Sequence, residues 1–162
     1  MDYKLKDKVV LITGSTGGIG QALARGFAAE GCKLAISSTK QEKLDAFVST
    51  LEIAPEKLKT FIVDVTKEED IKNFVEGAAS HFGAVDVMVI NAGFEGSYKL
   101  IQDNTMEDYM QVYNVNVFAP MFCMKYAAQQ MLKQESGAII TIASNGSYTT
   151  AAGMSAYCAS KH

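Results

Sequence analysis

Near the end of the sequence, residues 155–162 read SAYCASKH, with Tyr157 and Lys161 four positions apart. On a helix that spacing puts both side chains on one face. A phenol beside an ammonium is either an ordinary helix-surface pair or part of a reaction site, and a reaction site needs a scaffold on both sides. A second cluster stands near the start. Residues 13–20 read TGSTGGIG, with Gly14, Gly18 and Gly20 spaced G-x-x-x-G-x-G and Gly17 extra. Glycines let a backbone turn sharply and approach a ligand closely. The N-terminus of a following helix then offers N–H groups and partial positive charge to a phosphate. Such a turn either merely packs a helix on a strand or cradles a dinucleotide. Its place between a first strand and a first helix favours the dinucleotide. No Gly-Lys-Ser/Thr follows, which excludes a P-loop.

In a dinucleotide site, the end of the second strand meets the adenosine ribose. An Asp or Glu there hydrogen-bonds the ribose hydroxyls and repels a 2′-phosphate. This sequence has Ser37, Ser38, Thr39 and Lys40 and no acid. Hydroxyls and a lysine accept a 2′-phosphate, so the expected cofactor is NADP or NAD, with NADP favoured. Thr39 and Lys40 also have plainer uses, as a helix cap and a solvated charge.

Both clusters must be positioned by regular elements, and the hydrophobic pattern supplies them. Strands are predicted over 8–13, 33–37, 59–64, 85–91 and 138–143. Each is rich in Val and Ile and almost continuously apolar, as expected of strands covered on both faces. Helices are predicted over 18–30, 41–51, 67–82 and 106–133. Two carry a capping-box pattern, Thr39-x-x-Glu42 and Thr66-x-x-Glu69. Pro120 should kink or divide the last of them. His81 reads as the C-terminal cap of the third. Met110, Met121, Met124 and Met131 read as core or interface packing. Strands alternating with helices point to a parallel sheet with helices on both faces. Right-handed crossovers restrict this to a doubly wound, Rossmann-like sheet.

Composition removes other classes. The 162 residues fit one domain over 1–162 and suffice for a real core. With a net charge of −3 and no long Lys/Arg run, neither nucleic acid nor an anionic membrane is an expected partner. No apolar run is long enough to span a bilayer, and the first ten residues lack the apolar stretch of a signal peptide. Cys32, Cys123 and Cys158 are odd in number and widely spaced. They read as reduced, buried thiols of a cytoplasmic protein, with no metal site.

Taken in order, a set of residues resembles the short-chain dehydrogenase/reductase family. The set is Thr13-Gly14-x-x-x-Gly18-Ile19-Gly20, Asp64-Val65, Asn91-Ala92-Gly93, Asn116 in Val115-Asn116-Val117, Ser144, and Tyr157-x-x-x-Lys161. Ser144 precedes Tyr157 by thirteen positions, the usual family interval. Within the family the likeness is to 3-oxoacyl-acyl-carrier-protein reductases and to bacterial hydroxysteroid or sugar-alcohol dehydrogenases. One departure is Gly17, where NADP-preferring relatives often carry an Arg. Alone, each residue has a plainer reading: Ser144 as a strand-end turn residue, Asn116 as a helix polar position, Asn91-Ala92-Gly93 as a common turn. Only the ordered set overturns those readings.

The resemblance implies an NAD(P)-dependent oxidoreductase that transfers a hydride between the nicotinamide and a small carbonyl or secondary-alcohol substrate. It implies four catalytic residues. Tyr157 would be the general acid–base, helped by the neighbouring ammonium of Lys161, which stabilises a phenolate and also holds the nicotinamide ribose. Ser144 would hydrogen-bond the substrate oxygen, where charge develops. Asn116 would hold a water linking Lys161 to solvent. The cofactor would contact Gly14, Ser15, Thr16, Gly18, Ile19 and Gly20 in the glycine turn, and Ser38 and Thr39 at the ribose. Asp64 and Val65 would meet the adenine, and Asn91, Ala92 and Gly93 would line the cleft.

Family members continue beyond this lysine through further helix, two strands and a substrate-covering loop. By the resemblance, the chain lacks the last strands of the family fold. The expectation is an incomplete domain whose fifth strand is an edge and whose final helix holds Tyr157 and Lys161 poorly. Such a chain would bind cofactor weakly and turn over little. The substrate and the homo-oligomeric state usual for the family are then open. The alternative is a non-catalytic fragment that binds only nucleotide or a partner.

Overall fold

The computed structural model describes residues 3–162, so the expected 1–162 span loses only residues 1 and 2 from view. Five parallel strands form one sheet in the order β3-β2-β1-β4-β5. They are β1 (Val9–Ile12), β2 (Lys33–Ser38), β3 (Leu58–Ile62), β4 (Val87–Ile90) and β5 (Ala138–Thr141). Each end falls within two residues of the predicted strand's end. The order reverses between β1 and β4, and in open α/β sheets the carboxyl end of that switch point is where ligands bind.

The continuous hydrophobicity of the strands has a direct structural cause. Alternate residues face opposite layers. Val9 and Leu11 of β1, with Met88 and Ile90 of β4, pack against Ile71, Phe74, Val75 and Ala78 of α3 (Glu68–Phe82) and Cys123, Ala127 and Met131 of α5 (Ala119–Gln134). Val10 and Ile12, with Leu34, Ile36, Val87 and Val89, pack against Ala24 of α1 (Gly18–Ala29) and Leu44 and Phe47 of α2 (Gln41–Val48). Both layers are therefore present, as the doubly wound fold requires. By contrast, β5 is exposed along its whole length and forms one edge of the sheet.

The helix predicted over 106–133 is divided, but not by a simple proline kink. Helix α4 (Met106–Tyr113) runs into a π-helical turn over Asn114–Phe118, and α5 begins immediately after it. Pro120 sits in the first turn of α5, directly after the π turn. The Ala119 N–H reaches back five residues to the Asn114 carbonyl. Of the four methionines read as packing, only Met131 is buried; Met110, Met121 and Met124 lie at the surface.

Neither predicted capping box forms. The cap positions of α2 and α3 are Lys40 and Lys67, with no side-chain bond in either case. The Thr66 hydroxyl is drawn instead to the Asp64 carboxylate at 2.7 Å, a local turn that competes with capping. His81 is not the end of α3 either, because Gly83 closes it in the left-handed conformation. A genuine capping box stands at Thr105 and Asp108, at the start of α4. The same Asp108 carboxylate receives the Lys99 ammonium through both oxygens, at 2.7 and 2.8 Å.

The Lys99 ammonium and the Thr105 donors hold Asp108 well below its ordinary value of 3.8, at about 2. A depressed carboxylate contributes stability that is complete above its unfolded pKa and disappears as pH falls through its folded one. Asp108→Asn should therefore be less stable than the wild type at neutral pH. The gap should close between about pH 4 and about pH 2. Urea unfolding of both proteins across that range measures it; a gap that stays constant contradicts the assignment.

Candidate active site

At the carboxyl ends of β1 and β4, two turns are tied together by the side chains between them. The Thr13 Oγ1 accepts from the backbone N–H groups of Asn91 and Ala92 at 3.0 and 3.1 Å. In return, the Asn91 amide donates to the carbonyls of Thr13 and Gly14, both at 3.0 Å. Gly14 turns with φ +62°, a conformation that favours glycine. A Cβ on Gly20 would lie 2.4 Å from the Gly14 carbonyl oxygen and 2.7 Å from the Ser15 Cα. Backbone cannot yield there, so only glycine fits. Helix α1 starts at Gly18 with no side chain capping it, which leaves its N-terminus facing the turn.

These turns form one wall of a cleft of about 700 Å³. Of the expected cofactor residues, Gly14, Thr16, Gly18, Ile19, Gly20, Ser38, Thr39, Asp64, Val65, Asn91, Ala92 and Gly93 all line it. Tyr157 and Lys161 line it too. Ser15 does not. It is fully buried, and both its hydroxyl and its N–H donate to the Ser37 carbonyl at 3.0 Å. Its position in the motif serves the turn itself. The Thr16 hydroxyl pairs with that of Ser38 at 2.9 Å, fixing the edge of the cleft. Asp64 faces the cleft with a carboxylate held below its usual range, chiefly by the Thr66 hydroxyl.

The other four side chains converge at the opposite end. Asn116 is buried in the π-helical turn, where its Oδ1 accepts from the Phe94 N–H at 2.9 Å. Its Nδ2 donates to the Phe94 carbonyl and the Ser160 hydroxyl, both at 2.9 Å. Asn116 therefore ties the loop after β4 to α6 (Ser155–Lys161). The extra residue of the π turn is what rotates this amide inward, and sequence patterning has no signature for it. Ser144 follows β5, and its Oγ accepts from the Gly146 N–H at 3.1 Å. That bond uses a lone pair and leaves the hydroxyl proton for another acceptor. Tyr157 packs beside this turn: a Cβ on Gly146 would meet its ring at 3.2 Å and the Ser144 Oγ at 3.5 Å.

Helix α6 has only seven residues, too few to stand alone in water. Contrary to the sequence-based expectation, it is well held. Ala156 and Cys158 are buried, and the Asn116 amide grips Ser160. The Lys161 ammonium donates to the Ile142 carbonyl at 3.2 Å and lies 5.9 Å from the centre of the Tyr157 ring. Burial lowers the Lys161 pKa below its ordinary value.

Sequence reasoning missed several cleft residues. Lys43, one turn into α2, lines the ribose end, whereas Lys40 does not. Phe94 and Glu95 continue the wall beyond Gly93, and Val115 and Ile142 close it. Periodicity on α2 could have favoured Lys43, but the loop residues carry no pattern.

A doubly wound sheet with a glycine turn at its switch point and a Tyr–Lys pair across the cleft defines a nucleotide-dependent enzyme class. The family profile described as short chain dehydrogenase matches residues 8–162, and the chain belongs to that family. It is 38% identical over 161 residues to secoisolariciresinol dehydrogenase of Forsythia intermedia, covering 98% of this chain and 57% of that protein. The 3-oxoacyl-acyl-carrier-protein reductase of Thermotoga maritima is 34% identical over 98% of this chain and 64% of its own length. Among solved structures, NAD+-bound xylitol dehydrogenase superposes with a TM-score of 0.90 at 32% identity, over 98% of this chain and 61% of that one. Levodione reductase gives 0.92 at 32% identity, over 97% and 62%. The chain thus spans roughly three fifths of the length of these relatives.

Gly20→Ala tests the turn. Overpacking against backbone should destabilise the protein by about 1–3 kcal/mol. It should also remove nicotinamide-dinucleotide binding, because the turn can no longer close. Thermal unfolding and titration of reduced cofactor by fluorescence measure the two effects; unchanged binding would show that the turn is not the cradle.

Proposed function

We propose that residues 1–162 form one nicotinamide-dinucleotide-binding domain of an oxidoreductase acting on a carbonyl or secondary-alcohol substrate. The observation that carries this reading is the presence of Tyr157 and Lys161 in the same cleft as the Gly14–Gly20 turn, from opposite ends of the chain. The residues fit the cofactor: Gly20 admits no Cβ, and α1 presents an uncapped N-terminus to a pyrophosphate. When bound, the nicotinamide supplies or accepts the hydride. Tyr157 gives its phenolic proton to the carbonyl oxygen in reduction and takes it back in oxidation. Ser144, whose Oγ accepts from Gly146 and so keeps its proton to give, donates to that oxygen as charge builds on it. Lys161 places positive charge beside the Tyr157 ring, 5.9 Å from its centre. Asn116 holds the Phe94 backbone and α6 in register. Tyr157 and Lys161 in the cleft, with Ser144 beside the Tyr157 ring and Asn116 tied to Ser160 of the same helix, speak against a chain that only binds nucleotide.

For the cofactor, NADP over NAD is the proposal. Ser38 and Thr39 put hydroxyls at the end of β2, neither they nor Lys40 is an acid, and the ammonium of Lys43 replaces Lys40 as the phosphate partner. A cytoplasmic setting is proposed from the buried thiols of Cys32, Cys123 and Cys158. Among the described residues no helix is long and apolar enough to cross a membrane.

Two substitutions check the reading. Tyr157→Phe should abolish turnover of a ketone panel while cofactor affinity, read by fluorescence, changes less than about twofold, since the ring and Lys161 stay. Most of the activity surviving would assign the proton to another group. Lys43→Ala should weaken NADPH about tenfold, or about 1.4 kcal/mol, and leave NADH almost unaffected. Equal losses for both cofactors would remove Lys43 from the phosphate site.

A further inference from the structure

One charged side chain in the cleft has no part in the chemistry described above. Glu95 lies in the same wall as Tyr157 and Lys161, two positions beyond Gly93. It is exposed, and none of the ion pairs among the described residues includes it. Its Oε2 accepts instead from the Tyr98 hydroxyl at 2.9 Å. Lys161, the cation at this end of the cleft, is turned onto the Ile142 carbonyl. The Glu95 carboxylate lifts the Tyr98 phenol above its ordinary pKa, with a smaller push from Tyr157. Tyr98 therefore remains a neutral donor, and both phenols share one electrostatic neighbourhood.

The loop that carries Glu95 and Tyr98 is fixed at three points. Gly96 has φ +77°, and a Cβ there would lie 2.6 Å from Val112 Cγ2, so the loop is pressed onto α4. Lys99 grips Asp108 with its ammonium. The Lys99 N–H donates to the Gly153 carbonyl at 3.1 Å, and Lys99 pairs with Met154 in a single parallel bridge. That bridge ties the loop to the segment entering α6, one residue before Ser155. The loop backbone that carries Glu95 is thus held against α4 and against the segment entering α6.

We propose that Glu95, oriented by Tyr98, is a specificity-determining residue that selects carbonyl substrates bearing a hydroxyl and rejects those bearing a carboxylate. This rests on the oxidoreductase reading of the cleft. An oriented carboxylate accepts a strong hydrogen bond from a hydroxyl. The same carboxylate repels a substrate anion brought into the cleft, and discrimination by repulsion is as effective as discrimination by attraction. Tyr98 occupies one lone pair of Oε2 and leaves the others for substrate.

The test uses two ketones of equal chain length with similar carbonyls, 5-hydroxypentan-2-one and levulinate, with uncharged pentan-2-one as reference. Reduction of pentan-2-one or the hydroxyketone tests the oxidoreductase reading. The ratio of kcat/KM between the hydroxyketone and levulinate tests the role of Glu95. In the wild type the ratio should be at least about tenfold in favour of the hydroxyketone. Glu95→Gln should narrow it at least about fivefold, mainly through a lower KM for levulinate, and Tyr98→Phe should narrow it less. Calorimetric titration of the NADP+-loaded protein with each ketone gives a second readout free of turnover, and its affinity ratio should shift in the same direction. Turnover with an unchanged ratio in Glu95→Gln overturns the role of Glu95 alone. Failure to reduce any of the three ketones, with cofactor bound, overturns the oxidoreductase reading and this inference with it.

Discussion

Everything at the ligand-binding edge depends on the close approach of two turns that leave neighbouring strands. The turn after β1 and the turn after β4 touch at Gly14 and Ala92, where a Cβ on Gly14 would come within 3.0 Å of the Ala92 Cα. Two short polar side chains make that contact stable. Thr13 accepts two backbone N–H groups from the partner turn, and Asn91 returns two hydrogen bonds to the carbonyls of the first. Buried backbone groups that face each other across diverging loops would otherwise lack partners. Because they are paired, the loops open only beyond this point, and the cleft starts where they part.

From that fixed edge the remaining parts follow by short links. Asn116 carries the order from the β4 loop to α6 through Phe94 and Ser160. Lys161 returns it to the end of β5 through Ile142. The short final helix needs no intrinsic stability, because it is held by side chains from two other segments. This polar chain runs beneath the cleft, while the apolar layers below hold the strands in register.

The sequence was most legible where function and backbone constraint coincide. The glycine turn, the strand positions and the Tyr157–Lys161 spacing all reflect local rules that leave a mark on residue type. Ser15 was misjudged because a serine in a ligand-binding motif looks the same whether it faces the ligand or, as here, the Ser37 carbonyl. The capping box at Thr66 failed because Asp64, two residues earlier, takes the Thr66 hydroxyl, and the one at Thr39 because α2 takes Lys40 as its cap. The true box at Thr105 used Asp in place of Glu and escaped the pattern. Pro120 marked the right region for an incomplete reason: the π turn before it, which carries Asn116 inward, is stabilised by contacts distant in sequence. Lys43 and Glu95 required three dimensions, since one depends on which face α2 presents and the other on where a loop is pinned.

The pairing of β1 with β4 has a further consequence for how binding and folding are coupled. Asn91 and Thr13 are 78 residues apart in the chain, so the cleft exists only after the centre of the sheet has closed. No partly assembled chain has both walls. A ligand seated there is therefore linked to the cooperative opening of the central strands, whereas fraying of the exposed β5 edge is a separate, more local equilibrium. At a hundredfold excess over its dissociation constant, such a ligand adds about 2.7 kcal/mol to the opening free energy. Amide exchange of the inner strands would register that gain as a block, while protection along Ala138–Thr141 would change little.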